Sequence, residues 1–111
     1  MKFKFFLSLV LVFSLFTLNF AQNSGLPKFK KNENYKNVRA KMLKAGWKPA
    51  ASADADECMK GDERCQGRPE MDSCAGTGMA NCAFRWKRKN KIVMIFTVGE
   101  DTIYSGFRFE K

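Results

Sequence analysis

Histidine is missing altogether from the 111 residues. That removes the side chain that most often works as general acid or base near neutral pH and most often ligates a transition metal. No Cys-x-x-Cys pair occurs, so the usual thiol redox motif is missing too. The glycine frame and Lys-Ser/Thr pair of a phosphate-binding loop are also lacking; Gly76-Thr77-Gly78 reads as a tight turn between two cysteines. The chain also has no internal repeat and no low-complexity segment. A carboxylate pair drawn from Glu57, Glu63, Glu70 and Asp72 is what remains for acid–base chemistry. A glycosidase built on such a pair needs a sugar-binding cleft, which a chain this short could barely form. With no recognisable nucleophile and base, the sequence predicts neither catalysis nor a cofactor.

What is present begins with an export pattern. Lys2 and Lys4 precede an apolar stretch from Phe5 to Phe16, broken only by Ser8 and Ser14, and Asn19-Phe20-Ala21 offers a small residue for cleavage. This is the layout of a secretory signal peptide over residues 1–21. An uncleaved anchor is the competing reading, but Phe5 to Phe20 is shorter than the roughly 20 apolar residues a spanning helix needs. No cysteine lies near the cut, which argues against a lipid anchor. The mature protein is expected to be secreted or periplasmic, with residues 22–32 a flexible leader and residues 33–111 one domain.

A domain of that size has a marginal core and usually needs staples. Cys58, Cys65, Cys74 and Cys82 are the only cysteines, and an even number in an exported chain reads as two disulfides. Zinc ligands are normally paired two to four residues apart, closer than any of these, so no metal is expected. Four cysteines allow three pairings; short loops close at least entropic cost, favouring Cys58–Cys65 with Cys74–Cys82. Each bridge should add about 2–4 kcal/mol to a domain whose total stability is about 5–10 kcal/mol.

The expected fold is α+β: one N-terminal helix packed on a three-stranded antiparallel meander, with a disulfide-stapled irregular loop between them. The helix should run from about Asn34 to Ala45, capped by Asn34 or Asn32 and ended at Gly46. Tyr35, Val38, Met42 and Ala45 share its apolar face, and Arg39 is expected to lay its stem on the core with its charge in water. Trp47 should follow on the core, and Pro49 permits only a short edge strand. Cys82, Phe84 and Trp86 alternate with Ala83, Arg85 and Lys87, which predicts a half-buried strand. Asn90 is the expected positive-φ residue of the next turn. Residues 92–98 read as a central strand buried on both faces. A third strand follows over 102–109, with Ile103, Phe107 and Phe109 on one side and Tyr104 and Arg108 on the other.

Charge is segregated along the chain. Residues 54–72 hold seven acids against Lys60, Arg64 and Arg68, while the helix and the last hairpin are basic. The formal charge is +9, and losing Lys2 and Lys4 lowers it by two, to +7. Such a charge attracts polyanions at long range, although it also serves solubility. The candidate basic surface is Lys36, Lys41, Lys44, Arg85, Lys87 and Lys89. Phe84 and Trp86 alternate inward as core, so the aromatics do not form a stacking platform for nucleic acid, and no specific nucleic acid is expected. Arg64, Arg68, Glu70 and Asp72 are the candidate contact residues of the cysteine loop. Arg68 and Glu70 either stand outward as a fixed pair, or Arg68 turns inward to an acid of its own loop and locks it. The locking role is favoured, because a loop without secondary structure must satisfy its backbone with side chains.

One motif set bears a resemblance. It comprises Gly46-Trp47-Lys48-Pro49, then Cys65-Gln66-Gly67-Arg68-Pro69-Glu70, Ser73-Cys74-Ala75-Gly76-Thr77-Gly78 and Cys82-Ala83-Phe84-Arg85-Trp86, ending with Thr97-Val98-Gly99-Glu100. These segments resemble a group of small exported proteins of Gram-negative bacteria. The resemblance implies an envelope or periplasmic address and brings no activity with it. At the level of architecture, a helix over an antiparallel meander is similar to small envelope modules of the β-lactamase-inhibitor and outer-membrane-assembly lipoprotein type. That likeness is weak guidance to function. The combined expectation is a monomeric, non-catalytic binding module that contacts an envelope protein through the loop. The alternative is a cationic module on anionic envelope polymers or a membrane surface.

Overall fold

The structure, a computed structural model, describes residues 25–111; the expected signal peptide lies outside the described residues. Among the described residues, one helix, α1 (Tyr35–Lys44), and an antiparallel sheet of five strands make the fold α+β. No helix among the described residues is long and apolar enough to cross a membrane.

Helix α1 forms where local signals agree. The Asn34 side chain caps it by accepting from the Lys36 amide at 2.8 Å. Lys41 and Lys44 lie in its last turn, at the negative end of the helix dipole. Two hydrogen bonds then close the end, Gly46 N to Leu43 O and Trp47 N to Met42 O. This closure needs a left-handed residue, which Gly46 supplies at φ 89°. It also drives Trp47 into the core, where its Nε1 donates to the Gly25 carbonyl at 2.8 Å. The inner face of the helix is Tyr35, Val38 and Met42, all fully buried.

The sheet comprises β1 (Lys48–Pro49), β2 (Met71–Cys74), β3 (Cys82–Arg88), β4 (Lys91–Val98) and β5 (Ile103–Phe109). Strand β3 pairs with β4 along one edge, and β4 pairs with β5. The other edge of β3 is shared: β1 pairs with Trp86 and Lys87, and β2 pairs with residues from Cys82 to Phe84. Between them, Arg85 donates its amide to Glu70 O and accepts from Ala50 N, so the whole edge is satisfied. The sheet therefore exceeds the expected three strands. Strand β2 lies inside the stretch expected to be irregular loop, and it forms because an exposed β3 edge would leave a row of unpaired backbone groups.

Four further expectations are corrected. The positive φ in the β3–β4 turn falls on Lys89 (56°), which precedes Asn90. Strand β4 is fully buried on one face, where Val93, Ile95 and Thr97 face the helix side, and only partly on the other, where Met94 is buried but Ile92, Phe96 and Val98 are half-buried. In β5 the register shifts opposite Phe96 and Thr97, which leaves Ser105 as an extra residue. Tyr104 consequently joins Phe107 and Phe109 on the core side, and Ile103 turns to the outer side. The segment expected to be a free leader is tied down over its described part, with Leu26 and Phe29 packed against the core. Phe29 meets the Tyr104 ring at 5.0 Å between centroids.

Helix and sheet are joined at the start of β5. Tyr35 N donates to Thr102 O at 2.9 Å, and Tyr104 N donates to Glu33 O at 2.8 Å. Thr102 is buried and holds φ 49°, a rare conformation for a β-branched residue.

One buried hydroxyl among the described residues, Thr97 Oγ1, has no hydrogen-bond partner. Such a group costs roughly 1–3 kcal/mol to bury. Thr97→Val, which keeps the shape, should raise stability by about 1 kcal/mol, seen as a rise in melting temperature of about 4–8 °C. Urea titration of the pair of proteins checks the sign.

Candidate functional site

The cysteine loop is built from successive tight turns. Asp62 N donates to Met59 O, Gln66 N to Asp62 O, Arg68 N to Cys65 O and Met71 N to Arg68 O. The structure joins Cys58 to Cys65 and Cys74 to Cys82, the pairing that loop closure favours. The second bridge links β2 to the first residue of β3, so the loop is pinned to the sheet at its far end. All four cysteine sulfurs lie in these two bridges.

Arginines finish the lock. Arg64 grips Asp62 with two hydrogen bonds, at 2.9 and 2.7 Å, and sends its remaining arm to the Ala75 carbonyl at 2.7 Å. The hydrogen bonds from Arg64 hold the Asp62 carboxyl below its usual range. Arg68 turns inward, as the favoured reading has it, yet it meets no acid. Its Nη1 donates to Arg64 O at 2.8 Å and to Thr102 Oγ1 at 3.2 Å. The guanidinium lies over the Tyr35 ring, 4.8 Å from the centroid, and Tyr35 in turn stacks on Phe84 at 3.9 Å. Buried cation–π contacts of this kind contribute up to about 2 kcal/mol.

Glu70 is the surprise of the loop. Its side chain is 0 % exposed. Tyr35 Oη donates to Glu70 Oε2 at 2.8 Å, and Arg39 Nε donates to the same oxygen at 2.7 Å, with Nη2 reaching Oε1 at 3.3 Å. Trp86 Nε1 then donates to Tyr35 Oη at 3.1 Å. Helix, loop and sheet thus meet at one carboxylate. The charge of Arg39, expected in water, is spent on this pair. Burial pushes the Tyr35 phenol far above its ordinary pKa, and the Glu70 carboxylate beside it adds to the rise.

Of the four candidate contact residues, Arg64 and Glu70 are buried and used internally, so they are corrected from contact residues to structural ones. Arg68 is partly covered and spent on internal bonds. Asp72 is half-buried and accepts from the Ser52 amide and hydroxyl at 2.8 and 2.6 Å. What the loop leaves outward is a different set: Met59 and Met79, 74 % and 70 % exposed, with the exposed acids Asp56, Glu57 and Glu63 and the exposed Lys60 among them. Two open hollows, of about 430 and 360 Å³, flank the Cys65 and Met71 side chains between residues 51–59 and the loop. Sequence reasoning missed the methionines because a methionine is usually core filling; their position beside a cysteine turn was the available signal.

The candidate basic surface divides. Lys41 is paired with Glu33 at 2.9 Å, and Arg85 with Glu110 at 3.1 Å. Lys36, Lys44, Lys87 and Lys89 remain exposed and outside any ion pair of the described residues. No family model, curated protein or solved structure matches this chain.

Removing Glu70 leaves the buried Tyr35 hydroxyl without its acceptor, which costs about 1–3 kcal/mol, while Arg39, with 26 % of its side chain exposed, can turn its charge to water. Glu70→Ala should lose stability on that scale in urea unfolding, and Glu70→Gln, which can still accept from Tyr35, should lose less. The raised phenol gives a second test. A group whose pKa rises on folding contributes stability that is intact below its unfolded pKa, about 10 for tyrosine, and fades as the pH climbs above it. Absorbance titration of the native protein should therefore show Tyr35 ionising only together with alkaline unfolding.

Proposed function

We propose that this protein is an exported, monomeric binding module of the bacterial envelope that performs no catalysis and contacts another protein through the Cys58–Cys82 loop. One observation carries the reading: the loop turns Asp62, Arg64, Arg68 and Glu70 inward to fix its shape and leaves two methionines, three acids and Lys60 outward. Two disulfides point to an oxidising compartment, in keeping with the export pattern of residues 1–21. A rigid loop on a fixed scaffold presents recognition groups at little entropic cost. Met59 and Met79 are adaptable apolar contacts. Asp56, Glu57 and Glu63 favour a basic partner surface, and the two hollows suit apolar side chains of that partner. A second reading, association of exposed lysines with anionic envelope polymers, is favoured by the lysines left out of ion pairs.

A photo-reactive residue in place of Met79, in envelopes of the native host, should cross-link to one defined protein. The product should disappear on reduction of the disulfides and fall about tenfold in yield with Glu57→Lys/Glu63→Lys, since rim charges mainly set encounter rates. Cross-linking spread over many proteins, or unaffected by both treatments, would remove the loop from the contact.

A further inference from the structure

Strand β3 runs from the cysteine loop at Cys82 to the hairpin at Arg88, about 20 Å away at the usual strand rise. At the hairpin end, the chain leaving helix α1 passes beside the β3–β4 turn, and a cleft of about 370 Å³ lies between them. Lys48, Lys87, Arg88 and Lys89 line it, together with the Gly46 backbone, and no acidic side chain does.

These cations are placed by the fold. Lys48 and Lys87 are direct cross-strand partners in the β1–β3 pair. Like charges directly opposite each other destabilise a sheet, and the backbone register keeps these two residues opposite. Lys48 is held between buried Trp47 and Pro49, and Pro49 itself pairs with buried Trp86. Lys89 is set by the turn at φ 56°. The Arg88 side chain fills the space that a Cβ on Gly25 would occupy and runs past Gly46, so it too has a fixed course. The ion pairs among the described residues are Arg39–Glu70, Lys41–Glu33, Arg64–Asp62 and Arg85–Glu110, and none draws on the cleft.

We propose that this cleft is a binding site for a phosphate group, carried either by a soluble phosphate ester or by an anionic lipid headgroup. The site gives the cationic reading a specific place and ligand, and it is separate from the loop. A compact oxyanion of double charge offers several acceptor oxygens to donors that converge from two strands and a turn. Bound there, it offsets the repulsion between Lys48 and Lys87. General cationic attraction would make every exposed lysine equivalent, whereas this site makes Lys48 and Lys87 special.

The test uses the purified protein with both disulfides intact. Inorganic phosphate is titrated against chloride at matched ionic strength, with backbone amide shifts and melting temperature as readouts. Phosphate should shift the amides of residues 46–49 and 86–89 and raise the melting temperature. Lys48→Gln/Lys87→Gln should weaken that binding at least about tenfold, because each hydrogen bond between charged groups contributes on that scale. Without phosphate, the same variant should melt higher than the parent, which distinguishes lost binding from lost folding. Lys36→Gln/Lys44→Gln, with the same change of net charge on the helix, should bind within about twofold of the parent. Sedimentation with vesicles of phosphatidylcholine, with and without phosphatidylglycerol, separates the sources. Capture that phosphate displaces assigns the headgroup; amide shifts without capture assign a soluble ester. Equal losses in both lysine variants, or no difference between phosphate and chloride, would overturn the site. Glu57→Lys/Glu63→Lys, which disables the loop contact, should leave phosphate binding intact, so the two readings fail separately.

Discussion

A carboxylate with no access to water must be matched by donors, or the fold around it fails. Glu70 is that carboxylate here. Its partners come from the helix, Tyr35 and Arg39, and through the Tyr35 hydroxyl it is connected to Trp86 in the sheet. Glu70 itself belongs to the cysteine loop, and its backbone carbonyl accepts from Arg85 in β3. The three parts of the molecule are therefore set relative to one another by a single polar junction inside an aromatic shell. An apolar core would hold them together with less geometric demand. The junction prescribes an angle and a register, because the hydrogen bonds tolerate little misalignment.

Around this junction, charge is divided along β3. At its Cys82 end, the acids of the loop are either locked, as Asp62, or left facing solvent, as Glu57 and Glu63. At its Arg88 end, lysines are gathered without carboxylates. In the middle, Arg85 is neutralised by Glu110 across the outer face of the sheet. One strand thus connects an acidic, methionine-bearing surface to a basic cleft. The proposed contacts at the two ends are chemically opposite, so they would not compete for the same ligand.

Much of this was legible in the residues, and the gaps have physical causes. The helix could be read because the Asn34 cap, the spacing of Tyr35, Val38 and Met42, and Gly46 all say the same thing. The disulfide pairing is the one that short loop closure favoured among three. Strand β2 could not be read, since Met71-Asp72-Ser73-Cys74 is four residues long and half polar, and only the open edge of β3 makes it a strand. The bulge at Ser105 had one signal, Gly106 in the middle of an otherwise regular strand. Glu70 was beyond reach: a glutamate in a polar loop is normally solvated, and its partners lie more than thirty residues away in sequence. The candidate contact residues failed for the same reason, because the arginines and the glutamate that looked most interactive are the ones the loop consumes.

Both disulfides close short circuits within residues 58–82, and neither encloses α1, β4 or β5. Strand pairing of β2 with β3 places Cys74 opposite Cys82, so the second bridge and the sheet register agree. The bridges therefore stiffen the loop and its attachment to β3, and the helix and the β4–β5 hairpin are left to the aromatic core and the Glu70 junction.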